Sequence, residues 1–536
     1  MAQNLTDKLY QALEAIVVAL VNDPGLKHSK LESLKRKIAK EYNLDRFVRN
    51  SEIIEFVEST DILTNSDKES LRIFLRVRKV RTISGIAVVA LMTKPSPCPG
   101  KCIYCPDVPG APKSYTGREP AAMRGIENDF DPKKQVTARL NQLRAIGHPL
   151  DKVHLVIMGG TFLANPEEYQ ENYIRESLDG ITGESSSSLQ MAKDYSDRSL
   201  RRNVGITFET RPDYCKKTHV NRILELGGTW VEIGVQTLSD DVLKHVQRHH
   251  TIQDVERAIR FARDGGLKVT LHLMPNLFQT PEEDVQMFKT MYTDPRYVPD
   301  AVKIYPTLVL QNTQLFNLWQ KKEYVPYDSD KVVEVISKIK EITPEFVRIQ
   351  RVQRDIPAYL ITDGVRYGNL RELADKHLRN KGGVCSCIRC REIGHQILRK
   401  DQSWSEKERK LHTFEYPASG GIEHFISFDT EDKKTLFGFL RVREPSSASY
   451  RPEIKDQSAV IIRELHVYGQ LVGIGQEPKN LEWQHRGLGA KLITKAEEIA
   501  RDRDYRKILV TSGLGVRDYY RKLGFKQIGP YMGKPL

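Results

Sequence analysis

The sequence predicts an α/β protein: a partial, TIM-like (β/α) barrel followed by a smaller α+β domain, behind a helical amino-terminal segment. Three observations carry this. Short apolar, partly β-branched runs recur through the centre of the chain with helical patterns between them, the alternation of a parallel sheet. From about His412 the pattern changes to closely spaced antiparallel strands. The first central strand, 86–92, delivers a loop rich in Pro and Gly that holds Cys98, Cys102 and Cys105, and in such barrels chemistry collects at that carboxyl end.

At 536 residues the chain exceeds one core, and four segments are expected: a helical, basic 1–82, the barrel over 83–370, a linker with a second cysteine cluster over 371–411, and the α+β domain over 412–536. A net charge of +13 favours a polyanionic partner such as nucleic acid. Six of the seven cysteines fall in two tight clusters, which fits metal binding in a reducing compartment, hence the cytoplasm, better than a disulfide framework. Cys215 stands alone and reads as a buried structural thiol. The apolar run 15–21 is too short to cross a bilayer and reads as one face of an amphipathic helix, so neither a signal peptide nor a membrane partner is expected.

In the amino-terminal segment, Asn22 to Gly25 reads as a turn and Ser66 to Glu69 as a helix start. Two basic stretches, one with Lys30, Lys35, Arg36 and Lys37, the other with Arg72, Arg76, Arg78, Lys79 and Arg81, read either as phosphate-binding faces or as solvated surface. In the barrel, three thiolates at spacings of four and three can face one soft metal centre, and they leave the fourth iron of a 4Fe-4S cube without a protein ligand. Structural zinc or surface thiols are the alternatives. Strand 153–158 ends in Gly159, Gly160 and Thr161, where glycine lets a backbone carbonyl approach a ligand. Glu209, Arg211, Gln236, His272 and Lys303 would line the barrel mouth, with Glu209 either accepting from a ligand or pairing with Arg211.

Cys385, Cys387 and Cys390 suit a structural zinc with His377 or His395 as fourth ligand, and an auxiliary iron-sulfur cluster is the rival. In the last segment, Gln484, Arg486, Gly487, Leu488, Gly489 and Ala490 stand in a turn that opens a helix, whose free N–H groups suit a pyrophosphate.

The Cys-x3-Cys-x2-Cys loop is similar to that of the radical S-adenosylmethionine (SAM) superfamily, and the Gln484–Ala490 turn resembles that of GNAT acetyltransferases. With Met-Gly-Gly-Thr-Phe, Glu-Thr-Arg-Pro-Asp, Arg-Glu-Leu-His-Val-Tyr-Gly and the Gly-Pro-Tyr-Met ending, the chain from about residue 70 resembles the Elongator catalytic-subunit family. The second cysteine cluster looks like the archaeal and bacterial forms, which implies action without the other Elongator subunits. The resemblance implies a 4Fe-4S cluster on Cys98, Cys102 and Cys105, and SAM at its open iron against Gly159, Gly160, Thr161, Glu209 and Arg211. It implies acetyl-CoA along Glu464, Leu465, His466 and Val467 and the Gln484–Ala490 turn, with Glu464, His466 and Tyr520 at the reacting end. Tyr520 would protonate the departing CoA thiolate, with a core tyrosine as the plain alternative. Lys152 would touch acetyl-CoA from the barrel side or be a surface lysine. The implied reaction is reductive SAM cleavage with an external electron donor, hydrogen abstraction from the acetyl methyl, and addition to carbon 5 of a wobble uridine in a tRNA anticodon stem-loop, leaving a carboxymethyl group. Two readings compete: a protein lysine acetyltransferase with Glu464 as base and a structural metal cluster, and a non-catalytic tRNA-binding scaffold, which leaves two intact cofactor loops unexplained.

Overall fold

The computed structural model describes residues 2–399, 409–455, 458–468 and 487–536. The chain divides into two compact units, Met1–Ala87 with Thr137–Lys152, and Val88–Val136 with Val153–Leu536.

In the first unit, helices Ala2–Asn22, His28–Glu41, Asn50–Ser59 and Asn65–Leu75 bury Ala12, Ile16, Leu31, Ile53, Val57 and Leu75 in one core. The last helix starts before Ser66, because Thr64 caps it: its hydroxyl accepts from the Asp67 N–H, and the Asp67 carboxylate accepts from the Thr64 N–H. Lys30, Arg36 and Lys37 are exposed. Lys35 is buried and donates to Glu32 and Asn50, while Arg72 pairs with Glu58 and Glu69 and Arg76 donates to the Gly147 carbonyl. Those three cations are therefore engaged inside the unit, and the outward positive face is narrower than the sequence suggests.

The second unit holds two seven-stranded sheets and a two-stranded ribbon. The strands in chain order are β1 (Ala87–Met92), β2 (Lys152–Met158), β3 (Arg202–Thr210), β4 (Trp230–Gln236), β5 (Lys268–Leu273), β6 (Ala301–Ile304), β7 (Val309–Leu310), β8 (Arg348–Val352), β9 (Ile361–Asp363), β10 (Lys410–Ala418), β11 (Gly421–Asp429), β12 (Leu436–Glu444), β13 (Ala459–Val467), β14 (Lys507–Val510), β15 (Lys526–Ile528) and β16 (Tyr531–Pro535). The first sheet has the order β1-β2-β3-β4-β5-β6-β8, with β7 and β9 forming the ribbon. From β3 to β8 its neighbours are parallel. The order ends at β1 and β8, so the barrel is partial, as expected. Two of its helices are capped by threonines: Thr251 and Thr280 each accept from the third residue of the helix that follows.

The second sheet, β10-β11-β12-β13-β14-β16-β15, is antiparallel up to β13, and β13 then pairs parallel with β14 over Ala459–Ile462 only. Beyond Ile462, β13 stays paired with β12 after a register shift at Arg463, while its pairing with β14 ends. Glu464 and Leu465 therefore have no pairing partner on β14.

The two sheets are locked together by buried charges. Arg463 donates to both oxygens of Asp300 and to Glu423, Arg263 donates to Glu423, and Arg443 donates to Asp264, all fully buried. Ion pairs out of water cost desolvation that only good geometry offsets, and they admit few alternative dockings. Asp264, Asp300 and Lys268 stand at or before the amino-terminal ends of barrel strands. The second sheet therefore docks at the end of the barrel away from the cysteine loop.

Candidate active site

The cysteine loop follows β1, where Ile103 N–H donates to the Val246 carbonyl and Leu315 N–H to that of Ile103. Cys102 is buried, and Cys98 and Cys105 are half-buried. Cys105 exchanges a hydrogen bond with Ser114 at 3.1 Å, and Arg248 Nη1 donates to Cys102 Sγ at 3.3 Å. The Cys102 thiol is pulled down to about 4, first by the hydrogen bond from Cys105 and then by the Arg248 charge. The three thiols do not converge to single-ion spacing, whereas Cys385, Cys387 and Cys390 do, within 4.8 Å. The tight spacing of Cys385, Cys387 and Cys390 fits a single metal ion.

Polar atoms left without partners also fit a bound anionic group here. Tyr104 Oη, Arg248 Nε, Arg211 Nη1 and both ring nitrogens of His250 are buried with no hydrogen-bond partner. A Cβ on Gly100 would lie 2.1 Å from Arg211 Nη1 and 3.4 Å from Cys102 Sγ, so glycine is what lets the guanidinium reach the loop. Arg211 pairs with Asp213 at 2.9 Å rather than with Glu209.

Gly159 and Gly160 follow β2 with φ of +116° and +81°. Thr93 Oγ1 donates to the Gly159 carbonyl, and a Cβ on Gly159 would lie 2.3 Å from that oxygen; a Cβ on Gly160 would meet only open space. The pair thus joins a tight backbone anchor to an open cradle, beside the buried Thr161 hydroxyl, which has no partner. Glu209 accepts from Tyr115 at 3.0 Å and from Lys303 at 3.3 Å. Lys303 also pairs with Glu232, which accepts from His272 at 3.1 Å and from Gln350 at 3.2 Å. Burial alone would push the Glu232 carboxyl up, but Lys303 and His272 hold it well below the usual carboxylate range. The Lys303 ammonium supplies the cation for this cluster of acids.

From Gln350 the polar lining runs down the barrel interior to Thr270, which accepts from Trp230 Nε1 at 2.7 Å. Lys268 lies 3.6 Å from the Trp230 ring centre and is ion-paired with Glu464 of β13. Glu464 also accepts from Arg441 at 3.0 Å, and these cations keep its carboxyl lowered against burial. A chain of contacting polar side chains thus links the mouth that holds the cysteine loop to the floor that meets the second sheet.

On that floor, Gly487 (φ +77°) caps helix Leu488–Asp502, with open space where its Cβ would be. A Cβ on Gly489 would lie 3.9 Å from Leu465 and 2.5 Å from Tyr519 Oη, so this turn faces β13 at Leu465. Gln484 and Arg486 lie outside the described residues. His466 stacks parallel to Phe439 and against Tyr468, its centroid 4.3 Å from that of Tyr468. Tyr520 is buried edge-on to Tyr519 and Phe525, and burial raises its phenol well above its usual value. The hydroxyl nearest the glycine turn is that of Tyr519, which sequence reasoning misses because two adjacent tyrosines carry no local cue to their direction. Lys152 is half-buried at the amino-terminal start of β2, the end of the strand away from Gly159.

The second thiol cluster joins the sheets. Lys340 Nζ donates to Cys390 Sγ at 3.7 Å and pairs with Asp375. Arg391 donates to Asp429 of β11, and Glu392 pairs with Arg348 of β8. Among the described residues these three thiols gather at metal-binding distance, as do Glu209, Glu232 and His272 at the barrel mouth, and neither His377 nor His395 joins the thiols.

Comparison with known proteins agrees with this geometry. Residues 96–291 match the Radical SAM superfamily and 299–380 its C-terminal domain, 9–83 match the ELP3 N-terminal domain, and 395–525 match the Acetyltransferase (GNAT) family. The chain is 46% identical to a tRNA uridine(34) acetyltransferase of Methanocaldococcus jannaschii over 91% of its length and 90% of that protein. It is 40% identical to human Elongator complex protein 3 over 94% of its length and 93% of that protein. The solved structure of an archaeal Methanocaldococcus infernus Elp3 lacking residues 1–46 superposes with a TM-score of 0.76 at 43% identity, covering 85% of this chain and all of that one.

Proposed function

The chain belongs to the family of the tRNA uridine(34) acetyltransferases and Elongator complex protein 3, and from that premise we propose that it installs an acetyl-CoA-derived carboxymethyl group on carbon 5 of the wobble uridine in a tRNA anticodon stem-loop. The observation that carries the reading is the chain of polar side chains through the barrel interior, with a cysteine loop of radical SAM type at one end and Glu464 of a GNAT-type sheet at the other. A methyl C–H lies beyond the reach of any side-chain acid or base, and a 4Fe-4S cluster with SAM supplies the carbon radical that breaks it.

The chain's own residues do the rest. Cys98, Cys102 and Cys105 would hold the cluster, Gly159 and Gly160 would receive the SAM amino group, and Glu209, fixed by Tyr115 and Lys303, would accept from SAM. The strand from Glu464 to Val467 and the turn from Gly487 to Ala490 would hold acetyl-CoA, with Tyr520 or its neighbour Tyr519 donating a proton to the CoA thiolate. Cys385, Cys387 and Cys390 would carry a structural zinc that pins the linker. We further propose that the protein works without other Elongator subunits and draws its electron from an external low-potential donor.

Glu464 weighs against the lysine acetyltransferase reading. Its oxygens are taken by Lys268 and Arg441, which leaves it a poor base for an incoming amine.

The test is anaerobic reconstitution with iron and sulfide, then incubation with dithionite, SAM, acetyl-CoA and unmodified tRNA, read by nucleoside mass spectrometry. A carboxymethyl-bearing uridine that is absent with Cys102→Ala supports the proposal. Acetylated peptides with unchanged nucleosides, indifferent to Cys102→Ala, would replace it with the lysine acetyltransferase reading.

A further inference from the structure

We infer that Arg248 is a positioning residue of the cysteine centre: by donating to the Cys102 sulfur and holding an unneutralised positive charge against it, Arg248 raises the reduction potential of the cluster. The inference rests on the proposed function, in that it needs an iron-sulfur cluster on these thiols.

Arg248 lies just after helix Asp240–His245 and is buried, 7% exposed. One arm, Nη1, reaches Cys102 Sγ at 3.3 Å, and the other, Nη2, is fixed on the Gly234 carbonyl of β4 at 2.8 Å. The Arg248 carbonyl in turn accepts from Arg211 Nη2 at 2.8 Å, so the second guanidinium is locked beside the first. The charge of Arg211 is answered by Asp213. The hydrogen bonds of Arg248 go instead to a thiol and a carbonyl, and its Nε has no partner.

A buried guanidinium that does not face a carboxylate is costly unless its neighbour carries negative charge. Three thiolates with the inorganic sulfide of a cluster provide it. Hydrogen bonds to cluster sulfurs and nearby charge are among the determinants of iron-sulfur potentials. The sign follows from charge alone. Reduction moves one electron from an external one-electron donor such as dithionite onto the cluster and makes it one unit more negative. A fixed cation at 3.3 Å from a ligand sulfur attracts the reduced form more than the oxidised one. Removing it lowers the potential, so less of the centre is reduced at a given donor potential. Arg211, which touches the same loop through Gly100, adds in the same direction, less strongly because Asp213 neutralises it.

The experiment uses the full-length reconstituted protein. Redox titration followed by electron paramagnetic resonance is run on the wild type, Arg248→Met and Arg248→Lys, each checked for iron and sulfide content. Arg248→Met is expected to lower the reduced-to-oxidised ratio at fixed donor potential at least tenfold, which is about 59 mV for a one-electron couple. Arg248→Lys keeps the charge and falls between. A fully loaded Arg248→Met with the wild-type potential overturns the inference. Should Arg248→Met fail to load, pulsed resonance on reduced wild type grown with ¹⁵N-arginine decides: a guanidinium nitrogen coupled to the cluster supports the inference, and its absence overturns it. Wild-type protein that takes up no 4Fe-4S cluster would instead overturn the proposed function.

Discussion

Lys268, the first residue of β5, is ion-paired with Glu464 of β13, and through this pair the barrel floor meets the strand assigned to acetyl-CoA. Both side chains are about nine-tenths buried. Lys268→Met leaves Glu464 buried with one cation fewer, and the expected loss is about 3 kcal/mol in urea unfolding. Replacing both, as Lys268→Met with Glu464→Leu, is expected to recover at least half of that loss, because the lone buried carboxylate is gone. Additive losses in the double variant would contradict the coupling.

The two glycines after β2 are expected to fail differently. Gly159→Ala puts a methyl on the Thr93 hydroxyl that anchors the turn, so folded yield and melting temperature fall. Gly160→Ala meets no atom, and the strain of a left-handed alanine is only about 1–2 kcal/mol. The folded protein is therefore retained, while SAM affinity, measured by equilibrium binding, drops about tenfold or more as the methyl enters the cradle. Wild-type SAM binding by Gly160→Ala would show that the amino group sits elsewhere.

His154 of β2 is bonded to Thr207 at 2.7 Å and lies edge-on to Trp230, and burial lowers it to about 4. Its folded value lies below the usual 6.5, so the unfolded chain binds the extra proton. The stability that His154 contributes is therefore complete above pH 6.5 and is lost as pH falls toward 4, at up to about 1.4 kcal/mol per pH unit. Relative to His154→Gln, wild type should lose stability between pH 7 and pH 5. Parallel pH profiles would exclude this role.

Among the cations of helix His28–Glu41, the exposed Lys30, Arg36 and Lys37 are available to phosphates, whereas Lys35 is held by Glu32 and Asn50. A Glu substitution at any of the exposed positions removes one cation from the phosphates and is expected to flatten the salt dependence of tRNA binding by about 0.7–0.9 log unit per log unit of salt. Lys35→Glu should instead lower the melting temperature. Unchanged salt slopes in all three surface variants would move the tRNA footprint away from this helix.

The sequence by itself determined the features whose physics is local. The cysteine spacings, the glycine turns at 159, 160 and 487 and the alternation of strand and helix are read directly, because a few covalently linked residues fix each of them. The partial barrel and the seven-stranded second sheet follow that reading. Tertiary structure alone decided which charges meet. Glu209 takes Lys303 and Tyr115 while Arg211 takes Asp213, and Lys35, basic by sequence, is buried. Arg248 reaches Cys102 from 146 residues away, and Lys268 reaches Glu464 from 196. Such pairs depend on how sheets dock and which strand end faces which loop, a choice made by buried area and ion-pair geometry summed over the whole unit.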